Sequence, residues 1–123
     1  MSKQPLVLLI DDDEWLTARY TRLLERAGFA ARNVGDVLEG IEAIDQLRPS
    51  VIVLDLFMPG PNGIVLLHEI RSHSDLSQIP IILCTNSASD LDHKSMTAYG
   101  VVVILDKTTM RPEDIVTKVR AVL

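Results

Sequence analysis

The sequence contains a single cysteine, Cys84, and no group of histidines and cysteines spaced as metal ligands. One cysteine cannot form a disulfide within the chain, and its use fits a reducing compartment. The longest apolar runs are about five residues, whereas a helix that crosses a bilayer needs about 20. These absences predict a cytoplasmic protein without a membrane span and without a zinc or copper centre.

The sequence also lacks any block or stripe of basic residues. Its 17 acidic and 12 basic residues give a formal net charge of −5. Sequence-independent binding to nucleic acid or to an anionic membrane is therefore not expected. The chain has 123 residues, of which 47% are hydrophobic, enough for one domain with a core of its own. We predict a single domain spanning residues 1–123.

Five short apolar segments, mostly rich in β-branched residues, have the composition of buried β-strands. The predicted strands span residues 6–10, 29–34, 51–54, 80–84 and 101–105. The second segment is the least apolar, which is typical of a strand at the edge of a sheet.

Segments with helical periodicity or capping residues lie between these strands and after the last one. The five predicted helices begin near Glu14, Asp36, Gly63, Ser89 and Pro112. We expect Leu38 to face the core with the other apolar residues of the second helix. We also expect the fourth helix to run unbroken to Tyr99.

Strands that alternate with helices predict one parallel sheet that is covered on both faces. Right-handed crossovers leave few topologies, and the common one at this chain length has the strand order 2-1-3-4-5. The predicted fold class is therefore α/β, a flavodoxin-like doubly wound (βα)5 sandwich.

Chemically reactive side chains lie at the ends of four of the five strands. They are Asp11 and Asp12 after the first strand, Asp55 after the third, Thr85 at the end of the fourth and Lys107 after the fifth. In the order 2-1-3-4-5 the first and third strands are neighbours, and open α/β sheets bind ligands at the carboxyl ends of their strands. We expect these side chains to converge there, next to an irregular loop at residues 59–63.

Three neighbouring carboxylates repel one another unless a cation lies between them. Their hard oxygen atoms favour Mg²⁺, with Mn²⁺ as the alternative. A divalent ion, a lysine and a hydroxyl group beside a carboxylate are the groups needed to bind a phosphoryl group and neutralise its charge. The combination thus indicates phosphoryl transfer.

Each of these residues also has an ordinary structural explanation. Asp11–Asp13 could cap the first helix, and Asp55 could cap a turn. Thr85 could be a β-branched strand residue, and Lys107 could pair with Asp106 at the surface. Their joint occurrence at four strand ends favours the functional interpretation.

Four motifs together resemble the receiver domain of two-component response regulators. They are Leu9-Ile-Asp-Asp-Asp-Glu14, Val53-Leu-Asp-Leu-Phe-Met-Pro-Gly60, Pro80-Ile-Ile-Leu-Cys-Thr85, and Gly100 followed seven residues later by Lys107. The resemblance runs the whole length of the chain. It implies that Asp55 accepts a phosphoryl group from a histidine kinase or a histidine phosphotransfer protein, and that the domain is not a turnover enzyme.

The resemblance also implies a role for each site residue. Asp12, Asp55 and the backbone carbonyl of Phe57 would bind Mg²⁺ directly, with Asp11 acting through water. Thr85 and Lys107 would hold the phosphoryl group. The modification would then switch the surface of helix 4, strand 5 and helix 5 that an output partner reads. The partner is unknown, and a dimer that depends on phosphorylation is left open.

Four positions depart from the family pattern. Ile104 replaces the usual aromatic switch residue, and Asn86 replaces a small residue after Thr85. Thr108 replaces a proline, so a rearranged loop is expected instead of the cis peptide bond typical of that position. Phe57 cannot orient an attacking water, which predicts slow self-dephosphorylation.

Two alternatives come from other functional classes. A receiver-like interaction module could signal without phosphorylation, which the substitutions at Ile104 and Thr108 would permit. A phosphatase of the haloacid dehalogenase class also ends a strand in a nucleophilic aspartate. That chemistry requires a second acid at the position of Phe57 and a cap insertion that 123 residues hardly allow.

Overall fold

The computed structural model describes residues 4–58, 62–86 and 88–123. The strands are β1 Leu6–Ile10, β2 Ala30–Val34, β3 Val51–Leu54, β4 Ile81–Thr85 and β5 Val101–Asp106. The helices are α1 Glu14–Arg26, α2 Val37–Leu47, α3 Gly63–Arg71, α4 His93–Ala98 and α5 Asp114–Val122, with a 3₁₀ turn at Ala88–Asp90. Residues 59–61 of the loop predicted after β3 lie outside the described residues.

All five strands are parallel and lie in the order β2-β1-β3-β4-β5, which confirms the predicted topology. Alternate residues of a strand point to opposite faces of the sheet. Accordingly, Leu8 and Ile10 of β1 join a core cluster that includes residues of α2, α3 and α4. Val7 and Leu9 join a second cluster that includes residues of α1 and α5. The helices therefore cover both faces, as expected for a doubly wound fold.

The last strand contains an irregularity that the sequence pattern did not reveal. Ile81 pairs with Val101, whereas the next residue, Ile82, pairs with Val103. Val102 is thus an extra residue in β5, and its side chain is 56% exposed. Such a bulge reverses the alternation of the residues that follow it. Ile104 consequently packs on the same core cluster as Val101.

The prediction that Leu38 faces the core is wrong, because its side chain is 66% exposed. Gly40 is one of the three buried residues of α2, and it lies close to β1 and α3. A Cβ atom at this position would come within 2.9 Å of Ile10 Cδ1 and 3.1 Å of Leu66 Cδ1. The helix approaches its neighbours through a residue without a side chain, which a count of apolar positions cannot detect.

The prediction of one continuous fourth helix, 89–99, is also wrong. The segment consists of a 3₁₀ turn followed by α4, which has six residues. Asp92 separates them, because its extended backbone ends the turn and its carboxylate accepts hydrogen bonds from Lys94 N–H and the Ser95 hydroxyl. A strong helix cap inside the segment therefore overrides its weak periodicity.

The remaining helix boundaries differ little from the sequence predictions. Asp36 caps α2 by accepting the Glu39 N–H, as the capping-box pattern indicates. Pro112 lies just ahead of α5 and not within its first turn. Across the part of the chain that the structure describes, every helix is too short or too polar to span a bilayer.

Candidate functional site

Backbone hydrogen bonds fix the ends of β1 and β3 at one edge of the sheet. Asp11 N–H donates to the Val34 carbonyl at 3.1 Å, and Asp55 N–H donates to the Ile10 carbonyl at 2.9 Å. The two aspartates therefore leave neighbouring strands at the same level. Both are 8% exposed. The backbone hydrogen bonds between neighbouring strands thus bring together side chains that the sequence places at separate strand ends.

Three carboxylates converge at this edge, as the sequence predicts. Asp11, Asp12 and Asp55 each offer one oxygen atom, and these three atoms lie within 4.8 Å of one another. Asp12 is exposed, whereas the other two are buried. The group thus has one side open to solvent through which an ion or a substrate can approach.

Lys107 supplies the positive charge of the site. Its Nζ atom lies 2.6 Å from Asp11 Oδ2 and 3.2 Å from Asp55 Oδ2, with only 10% of the lysine side chain exposed. Its backbone N–H donates to the Thr85 carbonyl at 2.9 Å. Lys107 therefore pairs with Asp11 and Asp55 across the sheet edge and not with its neighbour Asp106. The Asp106 carboxylate accepts instead from the backbone N–H and the hydroxyl of Thr108.

We call Asp11, Asp12, Asp55, Thr85 and Lys107 the carboxylate rim. Burial raises the pKa of Asp55, and this effect exceeds the lowering by the Lys107 ammonium and by the Phe57 N–H. Burial by itself would lower the pKa of Lys107, but the hydrogen bond and charge of Asp11, together with Asp55, raise it. One lysine therefore does not fully compensate the burial of negative charge at Asp55, and a further cation would be stabilised here.

The donor atoms of the rim fit a hard divalent cation. All three side chains offer carboxylate oxygen, and no sulfur or imidazole belongs to this group. Such a set suits Mg²⁺ or Mn²⁺ better than zinc or copper. The unfavourable burial of Asp55 is a second feature that a bound cation would relieve.

Thr85 and Phe57 are the two remaining residues that the sequence assigns to the site. Thr85 is the last residue of β4, fully buried, and pairs with Asp106 of β5. Phe57 N–H donates to Asp55 Oδ1 at 3.1 Å, while its side chain is 53% exposed. The turn after β3 therefore orients the Asp55 carboxylate through its backbone, whereas the apolar Phe57 side chain is half exposed to solvent.

The sequence analysis missed one connection beside this site. The Tyr20 hydroxyl and the Cys84 thiol both lie against the Met110 sulfur. These residues are 26 to 90 positions apart. All three are residue types that occur commonly in protein cores, so no local sequence pattern predicts their contact. Cys84 was predicted to be a buried strand residue, which the structure confirms.

The surface predicted to change on modification is built differently from the rim. Ile104, at the position of the usual aromatic residue, is half-buried against the α2–α4 core cluster. Nearby, the Tyr99 hydroxyl lies 2.9 Å from His68 Nε2, and the two rings meet edge to face at 4.8 Å. Tyr99 thus links the end of α4 to α3.

The Lys107–Thr108 peptide is trans, like the others described, so the loop there differs from the family pattern as expected.

Comparison with known proteins gives matches over nearly the whole chain. Residues 7–120 match the family described as the response regulator receiver domain. The transcriptional regulatory protein CseB of Streptomyces avermitilis is 33% identical over 126 residues, covering 100% of this chain and 51% of that protein. The DNA-binding response regulator MtrA of Mycobacterium leprae is 32% identical over 115 residues, covering 94% and 49%. The chain therefore spans about half the length of these relatives.

A solved structure gives the same result for the fold. The chemotaxis protein CheY4 of Vibrio cholerae superposes with a TM-score of 0.88 at 25% sequence identity, covering 98% of this chain and 100% of that one. The sheet order and the five helices are those of the CheY-like flavodoxin fold. Together with the family match over residues 7–120, this shows that the chain belongs to the response regulator receiver domains of two-component systems.

Proposed function

We propose that this domain accepts a phosphoryl group on Asp55, in a Mg²⁺-dependent reaction, from a histidine kinase or a histidine phosphotransfer protein. The observation that carries the proposal is the position of Lys107, whose ammonium bridges Asp11 and Asp55 beside a third carboxylate. A surface ion pair would not need two buried aspartates. A site that receives a dianionic group needs both the acceptor carboxylate and fixed positive charge.

The proposed ion would be held by Asp12, Asp55 and the Phe57 backbone carbonyl, with Asp11 acting through water. When bound, it supplies charge neutralisation for the incoming phosphoryl oxygens. The chain's own groups do the rest. Lys107 pairs with the same oxygens, and the Thr85 hydroxyl donates to one of them.

The transfer itself is a simple displacement. A carboxylate oxygen of Asp55 forms a bond to phosphorus while the bond from phosphorus to the donor nitrogen breaks, and the nitrogen keeps the electron pair. The Phe57 N–H already donates to Asp55 Oδ1 and Lys107 to Oδ2, so the carboxylate is oriented before the donor arrives. Catalysis here is positioning and charge compensation, with no base required.

The acyl phosphate would change the balance between two states of the surface formed by α4, β5 and α5. A partner that distinguishes the states would carry the signal onward. We infer that the domain works in the cytoplasm as a phosphoacceptor and does not itself bind nucleic acid. The DNA-binding named for the MtrA relative is a property of that longer protein.

Intact mass spectrometry after incubation with acetyl phosphate and Mg²⁺ tests the proposal. The expected result is a labile gain of one phosphoryl group that disappears in Asp55→Asn and in samples with EDTA. The matched control is Asp45→Asn, the same chemical change at an exposed position of α2. It should retain the full adduct.

A parallel measurement examines the ion alone. Mg²⁺ should raise the melting temperature of the wild type and of Asp45→Asn, because binding to the folded state stabilises it by mass action. The rise should be lost in Asp12→Asn. No adduct with a normal Mg²⁺ response would contradict phosphorylation and favour the interaction module, and no response to Mg²⁺ would contradict the metal site.

A further inference from the structure

Next to the carboxylate rim, three side chains from distant parts of the chain meet in the core on the α1 and α5 side of the sheet. The Tyr20 hydroxyl lies 3.6 Å from Met110 Sδ, and Cys84 Sγ lies 3.5 Å from the same atom. The hydroxyl and the thiol are 3.7 Å apart. Tyr20 and Cys84 are buried, and Met110 is half-buried. We call these residues the Tyr–Cys–Met cluster.

The cluster is neutral at physiological pH. Burial raises the pKa of the Cys84 thiol to about 11, and burial also raises the pKa of Tyr20. Both groups therefore keep their hydrogen atoms. A thioether sulfur can only accept, so Met110 is the common acceptor for the two donors. These properties fit a structural link and do not fit a nucleophile or a redox centre.

Each member of the cluster is attached to a segment that carries part of the rim. Cys84 directly precedes Thr85 in β4. Met110 ends the turn that begins at Asp106, and its N–H donates to the Asp106 carbonyl at 2.9 Å. Tyr20 belongs to α1, which follows Asp11–Asp13. The cluster therefore joins three of the segments that must keep their relative positions in the rim.

Met110 anchors the far end of the Lys107 turn in the interior, while the backbone bond from Lys107 to Thr85 holds its beginning. Thr108 and Thr109 are exposed, whereas Met110 packs against the core cluster of α1 and α5. A shift of its side chain would move the turn that holds Lys107. The Lys107 ammonium has contacts of 2.6 and 3.2 Å to two carboxylates, which leaves little tolerance for such a shift.

We propose that the Tyr–Cys–Met cluster positions Lys107, and that Met110 is a positioning residue for phosphoryl transfer to Asp55. The second half of this inference rests on the proposed function. Misplacement of a binding group by about 1 Å can cost up to about 100-fold in rate. A smaller displacement, caused by the loss of one acceptor atom, should therefore have a measurable effect.

Met110→Leu removes the acceptor and largely keeps the side-chain volume. We expect the rate of phosphorylation by acetyl phosphate to fall about fivefold, a modest fraction of the effect of full misplacement. The matched control is Met96→Leu, the same change at a buried position of α4 in the core cluster on the other face of the sheet. The phosphorylation rate of Met96→Leu should stay within twofold of the wild type, although its melting temperature should change about as much as that of Met110→Leu.

Coupling to Lys107 separates positioning from a general loss of stability. In a Lys107→Gln background, Met110→Leu should cause no further loss of rate, since the group that it positions is gone. Tyr20→Phe keeps the ring and removes one donor, so it should lower the rate in the same direction and show the same coupling. Equal fractional losses with and without Lys107 would overturn the proposal.

A measurement without phosphate makes the two proposals separable. The ¹⁵Nζ resonance of Lys107, assigned by its loss in Lys107→Gln, reports the ammonium environment in the metal-free protein. It should shift in Met110→Leu and in Tyr20→Phe but not in Met96→Leu. An unchanged resonance would overturn the positioning role. A shifted resonance in a protein that takes no phosphoryl group would support positioning and contradict the proposed function alone.

Discussion

The carboxylate rim and residues 88–99, which we call the α4 segment, lie in neighbouring parts of the molecule. They differ in the contacts that hold them. Lys107 reaches Asp11 and Asp55 across 96 and 52 residues of chain, and all three side chains are almost fully buried. The α4 segment has one buried residue in a helix of six, Met96, and is fastened by the Asp92 cap and the Tyr99–His68 contact. Few buried contacts mean a low local cost of opening. The molecule thus combines a site held by buried contacts with a segment whose few buried contacts imply a low cost of local opening.

Lys107→Gln gives the largest expected effect, because it removes the charge that fixes the rim. Leaving buried carboxylates unpaired should lower the free energy of unfolding in EDTA by about 3 kcal/mol. Loss of a preorganised positive group should reduce the phosphorylation rate by about 100-fold. Urea titrations and adduct formation measure the two quantities. Lys94→Gln, an exposed change on α4, should alter neither. Equal rates for Lys107→Gln and the wild type would remove the lysine from the transfer.

Phe57→Asn tests whether Phe57 slows the loss of the proposed phosphoryl group. The exposed apolar ring of Phe57, two residues after Asp55, offers no group that could orient water. A side-chain amide could do so, and we expect the half-life of the adduct to shorten about tenfold, less than full acid–base catalysis supplies. The decay of the mass adduct after removal of acetyl phosphate measures it. Phe57→Leu, which adds no polar group, should leave the half-life within twofold, and a Phe57→Asn half-life equal to that of the wild type would refute the argument.

Tyr99→Phe has the smallest expected effect and tests the other half of the comparison. It removes the contact with His68 Nε2 and should cost about 1 kcal/mol or less, because the bond is partly exposed. Amide hydrogen exchange should accelerate in α4, while the phosphorylation rate stays within twofold. His68→Gln should give a similar change, and the double variant should be less than additive. Unchanged exchange in α4 would show that other contacts hold the segment.

The fold was predictable because its pattern is repeated five times. Four of the five strands are apolar runs with a clear end, the less apolar β2 fits an edge, and the alternation with helices leaves few sheet orders, of which the common one is found. The convergence of Asp11, Asp12 and Asp55 follows from that order alone. Leu38 and the interrupted fourth helix were mispredicted for local reasons. A glycine replaced an apolar side chain at the contact of α2, and Asp92 capped a new helix where the periodicity was weak.

The sequence did not predict how individual side chains from distant parts of the chain pair with one another. The pairing of Lys107 with Asp11 in preference to Asp106 depends on the register of β5, and the Tyr–Cys–Met cluster depends on the packing of α1 over β4. Neither register nor packing is encoded in a local spacing. The sequence therefore predicts which groups reach the sheet edge, and the three-dimensional contacts determine how each is paired.

The extra residue Val102 determines which residue of β5 reaches the carboxylate rim. Because β5 carries this extra residue, Thr85 pairs with Asp106 and the next residue to leave the sheet is Lys107. If the Ile81–Val101 pairing continued regularly, Thr85 would pair with Leu105, and Asp106 would leave the sheet at that place. A fourth carboxylate would then stand where the ammonium is needed. Loss of the bulge with the exposed valine retained is thus equivalent to a charge reversal at the far end of the strand.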